Sequence, residues 1–161
     1  MTAPTDGRKV AVVSGGSRGL GRLLVERLLD DGWRVATFSR NGNEFITETR
    51  ERAAADFHWT ALDLADTGTL RAFVADVVRR FGRIDLLVNN AALLHQGLFL
   101  TMPVKQIDAM VTTNLVAPMV LTQACGRAMM RQGGGSIVNV SSVNAIRGYR
   151  GVAAYTATKA G

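Results

Sequence analysis

The sequence predicts an α/β fold built on a doubly wound parallel sheet. Short apolar runs alternate with longer stretches of helical periodicity from end to end. The apolar runs are continuous rather than alternating, as strands covered on both faces must be. The stretches between them are long enough for the crossover helices that parallel strands require. Right-handed crossovers then lay helices on both faces of the sheet.

Lys9–Ser14 (KVAVVS) is the first predicted strand. Leu20 to Asp31 follows as a helix with Leu23, Leu24, Leu28 and Leu29 on its apolar face, and Gly32 ends it. Trp33–Ser39 is the second strand. Asn43 to Ala55 is a polar, outward-lying helix, and Phe57–Leu62 is the third strand. Asp66 to Phe81 is the clearest helix: Asp66 or Thr67 can cap it, Leu70, Phe73, Val74, Val77 and Val78 form its stripe, and Gly82 closes it. Ile84–Asn89 is strand four. Pro103 opens a helical stretch to about Gln132, in which Pro118 is expected to bend or interrupt the helix, having no N–H to donate. Gly133 to Gly135 form a turn, Ser136–Ser142 is strand five, and a final helix starts near Val152. No repeat or linker divides the chain, so one domain over residues 1–161 is expected.

Composition narrows the function. A content of 47% apolar and 20% charged residues supports a core and argues against disorder. No apolar run approaches the roughly 18 residues of a membrane span. Met1 to Lys9 lacks the apolar stretch of a secretory signal, so a soluble cytoplasmic protein is expected. Cys125 is the only cysteine and reads as a small buried residue; His58 and His95 lack metal-ligand spacing, so no metal is expected. The net charge of +6 favours anionic partners. The arginines are scattered rather than grouped with aromatics, which speaks against nucleic acid; an anionic cofactor or an acidic carrier protein fits the charge.

Between strand one and helix one stands Ser14-Gly15-Gly16-Ser17-Arg18-Gly19-Leu20-Gly21. Glycines at 15, 19 and 21 suit a tight turn, close approach of a pyrophosphate to the backbone, and close helix–sheet packing. A helix N-terminus there offers free N–H groups and a positive dipole end to phosphates. This places Ser14, Gly15, Ser17, Arg18, Gly19, Leu20 and Gly21 at a dinucleotide site. The spacing resembles that of the short-chain dehydrogenase/reductase family, in which threonine usually stands where this chain has Ser14.

Sheets that bind NAD place an acidic residue after strand two to hold the ribose 2′-hydroxyl. This chain has Phe38-Ser39-Arg40-Asn41, with no carboxylate. Arg40 can pair with a 2′-phosphate and Arg18 supplies a second positive charge, which favours NADP(H). Both arginines match places where NADP-preferring members of the resembled family carry basic residues. The resemblance further implies that Asp63 and Leu64 contact adenine. It also implies that Asn90 and Ala91, in the segment Asn89-Asn90-Ala91-Ala92, line the cofactor ribose. Ala92 stands where the family has glycine.

Ser142 ends the fifth predicted strand, and thirteen residues later comes Tyr155-Thr156-Ala157-Thr158-Lys159. Residues i and i+4 of a helix share a face, so Tyr155 and Lys159 point together. An ammonium beside a phenol favours the phenolate, which makes the pair an acid–base group. The resemblance implies that Ser142 and Tyr155 bind a carbonyl oxygen and that Tyr155 donates the proton. It gives Lys159 the nicotinamide ribose and Asn114 a proton-relaying water. The implied activity is reduction of a carbonyl by hydride transfer from NADPH. The runs Ser14–Gly21 and Ser142–Gly161 look most like 3-oxoacyl-[acyl-carrier-protein] reductases, whose substrate is carrier-bound.

Two further readings stand beside this one: a reductase or dehydrogenase of another alcohol, sugar or steroid-like carbonyl, and a non-catalytic nucleotide-binding or interaction protein. Members of the family continue past this point in sequence. The chain is therefore expected to be partial, with a fold incomplete at its C-terminal side, strand five as an open edge, and a homo-oligomer at full length.

Overall fold

The computed structural model describes residues 7–161. Its five strands are β1 (Val10–Ser14), β2 (Arg34–Ser39), β3 (Phe57–Ala61), β4 (Leu86–Asn89) and β5 (Ser136–Asn139). They form one sheet in the order β3-β2-β1-β4-β5, and every pairing is parallel. Strand order reverses beside β1: the chain travels outward to β3, then returns to the other side of β1 as β4. Such a switch opens a crevice at the carboxyl ends of the central strands. The architecture is Rossmann-like.

Alternate residues of the strands feed two cores, as the period of two requires. Val10, Val12, Phe38 and Leu87 pack under α3 (Thr67–Phe81) and α5 (Ala117–Arg131). Val13, Val35 and Val88 pack on the opposite face, under α1 (Gly19–Asp30) and α2 (Glu44–Arg52). Buried side chains on both faces account for the unbroken apolar runs. Among the described residues no helix is long and apolar enough to cross a membrane.

Most expected elements form within a residue or two of their predicted ends, and the exceptions have causes. The second helix is less outward than its polar composition suggests, for Phe45, Ile46 and Thr49 are buried. Asn43 caps the helix, accepting from the Ile46 N–H. At α3, Asp66 is the cap and Gly82 ends the helix at a φ of 82°. The fourth strand starts at Leu86 rather than Ile84. The β1 N–H of Val10 is met by the Asp85 carboxylate at 2.8 Å, and the Ile84 backbone is held on both sides by the Gln132 amide.

The long helix is interrupted, but ahead of Pro118. After α4 (Val104–Val111) comes a single π-helical turn, Thr112–Val116, and then α5. In that turn the Ala117 N–H reaches back five residues to the Thr112 carbonyl. Pro118 has no N–H for the Asn114 carbonyl and its ring crowds the turn before it, so a wider turn relieves the crowding without ending the helix. The fifth strand is shorter than expected, four residues rather than seven, and its residues are exposed at the sheet edge. Past it, Ser142 caps a 3-10 turn, Val143–Ala145, and α6 (Ala153–Ala160) follows.

Candidate cofactor and active site

A cleft of about 740 Å³ opens at the carboxyl ends of β1, β2, β3 and β4. Among the expected residues, Gly15, Ser17, Arg18, Gly19, Arg40, Asp63, Leu64, Asn90 and Ala91 line it. Ser14 and Gly21 are buried beneath it, whereas the Leu20 side chain is exposed and does not line it.

Ser14 works as a joint. Its hydroxyl accepts from the N–H groups of Asn90 at 2.9 Å and Ala91 at 3.0 Å, and the Asn90 side chain donates back to the Ser14 carbonyl at 3.0 Å. The loop after β1 and the segment after β4 are thereby one unit. Gly15 has a φ of 73°, and a side chain there would come within 2.8 Å of the Ala91 Cβ. A Cβ on Gly21 would press on the Gly15 carbonyl and lie 2.6 Å from the Asn90 amide. These two glycines let the three segments close on one another. Ala92 keeps an ordinary backbone, since every described residue with positive φ is a glycine.

The residues suit a dinucleotide phosphate. Helix α1 starts at Arg18 with no side chain capping it and no acidic residue in its first turn. Its first N–H groups therefore face the cleft uncommitted, at the positive end of the helix dipole. Neither Arg18 nor Arg40 pairs with a carboxylate among the described residues, and both side chains are exposed on the cleft wall. Asp63 turns one carboxylate oxygen to the Ala65 N–H at 2.9 Å, which fixes the floor between Leu62 and Leu64.

The four expected catalytic residues lie beyond this cleft, around α6 and the end of β5. Tyr155 and Lys159 stand one helical turn apart on α6. Lys159 is half-buried and its Nζ donates to the Val140 carbonyl at 2.7 Å. Burial holds its pKa below the ordinary lysine value. The half-buried Tyr155 has a hydroxyl without a hydrogen-bond partner among the described residues, leaving it open to a ligand. Ser142 directs its oxygen to the Asn144 N–H at 3.2 Å, which anchors the residue and leaves its own proton available.

Asn114 is buried in the π-helical turn and fully engaged. Its Oδ1 accepts from the Leu93 N–H at 2.7 Å, while Nδ2 donates to the Leu93 carbonyl at 2.8 Å and to the Thr158 hydroxyl at 3.0 Å. Thr158 passes the connection on to the Tyr155 carbonyl at 2.8 Å. The side chain is thus a clamp between the β4 loop and α6. It therefore has no polar group left over for a water.

Four contributors escaped the sequence reading: Thr158 in this clamp, Thr37 beneath the glycine loop, and Asn43 and Trp59 behind Arg40. The Thr37 hydroxyl receives the Gly16 N–H at 3.0 Å and donates to the Val13 carbonyl at 2.6 Å. A threonine inside an apolar strand was the available signal. The others depend on contacts between distant segments and left none.

The pattern of the family described as short chain dehydrogenase matches residues 9–161. A 3-oxoacyl-[acyl-carrier-protein] reductase, FabG, of Staphylococcus aureus (strain Mu50 / ATCC 700699) is 35% identical over 156 residues, covering 95% of this chain and 63% of the relative. A human protein named 3-oxoacyl-[acyl-carrier-protein] reductase is 33% identical over 157 residues, covering 95% of this chain and 64% of the relative. Among solved structures, a short-chain dehydrogenase from Streptomyces avermitilis superposes with a TM-score of 0.90 at 31% identity, over 98% of this chain and 57% of that one. The chain thus spans less than two thirds of the length of these relatives.

Proposed function

Because this chain belongs to the short-chain dehydrogenase family, we propose that it is the NADP(H)-binding and catalytic portion of an oxidoreductase that reduces a carbonyl to an alcohol. One observation carries the reading: Lys159 is pinned to Val140, just past β5, while Tyr155, one turn away, has a hydroxyl without a partner among the described residues.

The uncapped start of α1, with Gly15, Ser17 and Gly19, would hold the cofactor's diphosphate, and Arg18 and Arg40 its 2′-phosphate. Asp63 and Leu64 would flank adenine; Asn90, Ala91 and Lys159 would meet the riboses. When bound, the nicotinamide supplies the hydride. Ser142 and Tyr155 orient the substrate oxygen through their hydroxyls, and Tyr155 gives its proton to that oxygen as charge develops there. Lys159 brings positive charge toward the phenolate left behind. A water positioned near Asn114 would return a proton to Lys159.

The names of two relatives support a 3-oxoacyl thioester on an acyl carrier as the substrate, and the net charge of +6 suits an acidic carrier. The test is Tyr155→Phe in the protein that carries this chain. With NADPH and a 3-oxoacyl thioester, turnover falls by at least about a hundredfold, within the range removed with a general acid. Calorimetric NADPH affinity stays within about twofold. A variant that keeps its turnover overturns the assignment. Turnover with a sugar or steroid-like ketone instead of the thioester would redirect only the substrate.

A further inference from the structure

Among the described residues Arg40 has no partner of its own, yet the turn that carries it is held from both ends. On its N-terminal side, Ser39 closes β2, paired with Ala61, and its carbonyl accepts the Leu62 N–H at 3.0 Å. The Ser39 hydroxyl accepts from the Trp59 indole N–H at 2.9 Å and donates to the Asn41 carbonyl at 2.8 Å. Trp59 also underlies the turn: a Cβ on Gly42 would lie 3.4 Å from its ring, and the Arg50 guanidinium covers the ring 5.5 Å from its centroid. On the C-terminal side, Asn43 donates to the Ser17 carbonyl at 2.8 Å, tying the turn to the loop that carries Arg18.

We propose that Trp59 is a positioning residue for cofactor selection: through Ser39 it shapes the turn that aims Arg40, with Arg18, at a 2′-phosphate. The proposal rests on the NADP(H) reading of the cleft. An arginine on a loose turn loses conformational freedom when it engages a phosphate, and a turn fixed beforehand reduces that loss. Trp59 meets the turn through Ser39 and Gly42 alone among these contacts, so its effect is expected to fall on the 2′-phosphate that Arg40 would engage. Ser39 spends its one proton on Asn41 and cannot donate to a ribose. Its hydroxyl serves the turn.

The test is calorimetric titration of this chain with adenosine 2′,5′-bisphosphate and, in parallel, AMP, two probes that differ by the 2′-phosphate alone. The unmodified chain favours the bisphosphate, and Arg40→Ala removes most of that preference. Trp59→Phe and Ser39→Ala each weaken bisphosphate binding roughly three- to tenfold, the worth of one hydrogen bond. AMP binding holds within about twofold, which certifies that the cleft is folded. Ser39→Ala leaves the indole in place and isolates the hydrogen-bonded chain. The double variant is no worse than the stronger single, because both break one connection. Equal weakening of the two probes, or an unchanged ratio in both variants, overturns the positioning role while the arginine reading stands. No preference in the unmodified chain, or a preference that survives Arg40→Ala, overturns both.

Discussion

The Asn114 side-chain amide donates to the Thr158 hydroxyl across 3.0 Å, and this bond fastens the π-helical turn to the helix bearing Tyr155 and Lys159. Both residues are buried. Asn114→Ala leaves the Leu93 N–H, the Leu93 carbonyl and the Thr158 hydroxyl without this partner. At roughly 1–3 kcal/mol for each stranded buried group, relaxed in part by local movement, a loss of about 2–4 kcal/mol is expected. Thr158→Val costs less, about 1–2 kcal/mol, since Asn114 retains Leu93. Urea unfolding of the two single variants and the double measures the coupling, and the double falls short of the sum.

Gly16 is held by its small size. Its N–H donates to the Thr37 hydroxyl, and an added Cβ would fall 2.8 Å from a Val25 methyl and 2.9 Å from the Thr37 Cβ. Strand β2 and helix α1 are fixed in the sheet and in the core, so neither yields cheaply. Gly16→Ala is expected to cost about 1–3 kcal/mol, as overpacking does. It should weaken AMP and adenosine 2′,5′-bisphosphate alike. That common loss, read by the same calorimetry, separates damage to the phosphate loop from loss of 2′-phosphate selection.

The sheet was legible because its strands are continuous apolar runs and because α3 carries the stripe Leu70, Phe73, Val74 and Val77 with Asp66 and Gly82 as ends; on α1 the expected Leu23 is exposed and Val25 is the side chain fully buried. The glycine loop was legible by position, directly after β1. Pro118 announced an irregularity but not its form. A π-helical turn accommodates one added residue within a helical pattern, and periodicity alone does not separate it from an α-helix. The roles of Ser14, Asn43, Trp59 and Thr158 were hidden for a different reason. Each bonds to a segment between 20 and 77 residues away, although Asn43 and Thr158 also meet their own helices. Sequence spacing carries no record of such pairs. Arg18 and Arg40 could be singled out only because the loop and the strand end fix where a 2′-phosphate would lie.

Lys159 gives a pH signature. Burial disfavours its ammonium and lowers its pKa from the ordinary value of about 10.4. Between the lowered value and the ordinary one, the unfolded chain binds a proton that the native chain has shed, so native stability rises with pH through that window. Below the window the cost of burying the charge is complete. Lys159→Met removes this dependence. Paired urea titrations up to about pH 10 should show the unmodified chain gaining on the variant once pH passes the lowered value. A gap that stays constant with pH would mean the ammonium is not penalised in the fold.

Asp85 has the opposite dependence. Burial alone would push its carboxyl up. The Arg83 side chain at 2.6 Å, the Val10 N–H at 2.8 Å and the charges of Arg83 and Lys9 together hold it below the ordinary aspartate value of about 3.9. Such a group stabilises the fold above its ordinary value, and the stabilisation is lost as pH falls through the lowered one. The bond to Val10 also makes the carboxylate the link between the first residue of β1 and the start of β4. Asp85→Asn keeps an acceptor but gives up the charge. It should cost roughly 1–2 kcal/mol at pH 7, within the range of hydrogen bonds to charged groups once exposure is discounted. The difference should begin to shrink in urea melts as pH falls below about 4, where the unfolded chain takes up the proton first, and close once the native carboxyl is protonated below its lowered value. A cost that persists undiminished into acid would place the effect in packing at the β1–β4 junction rather than in the charge.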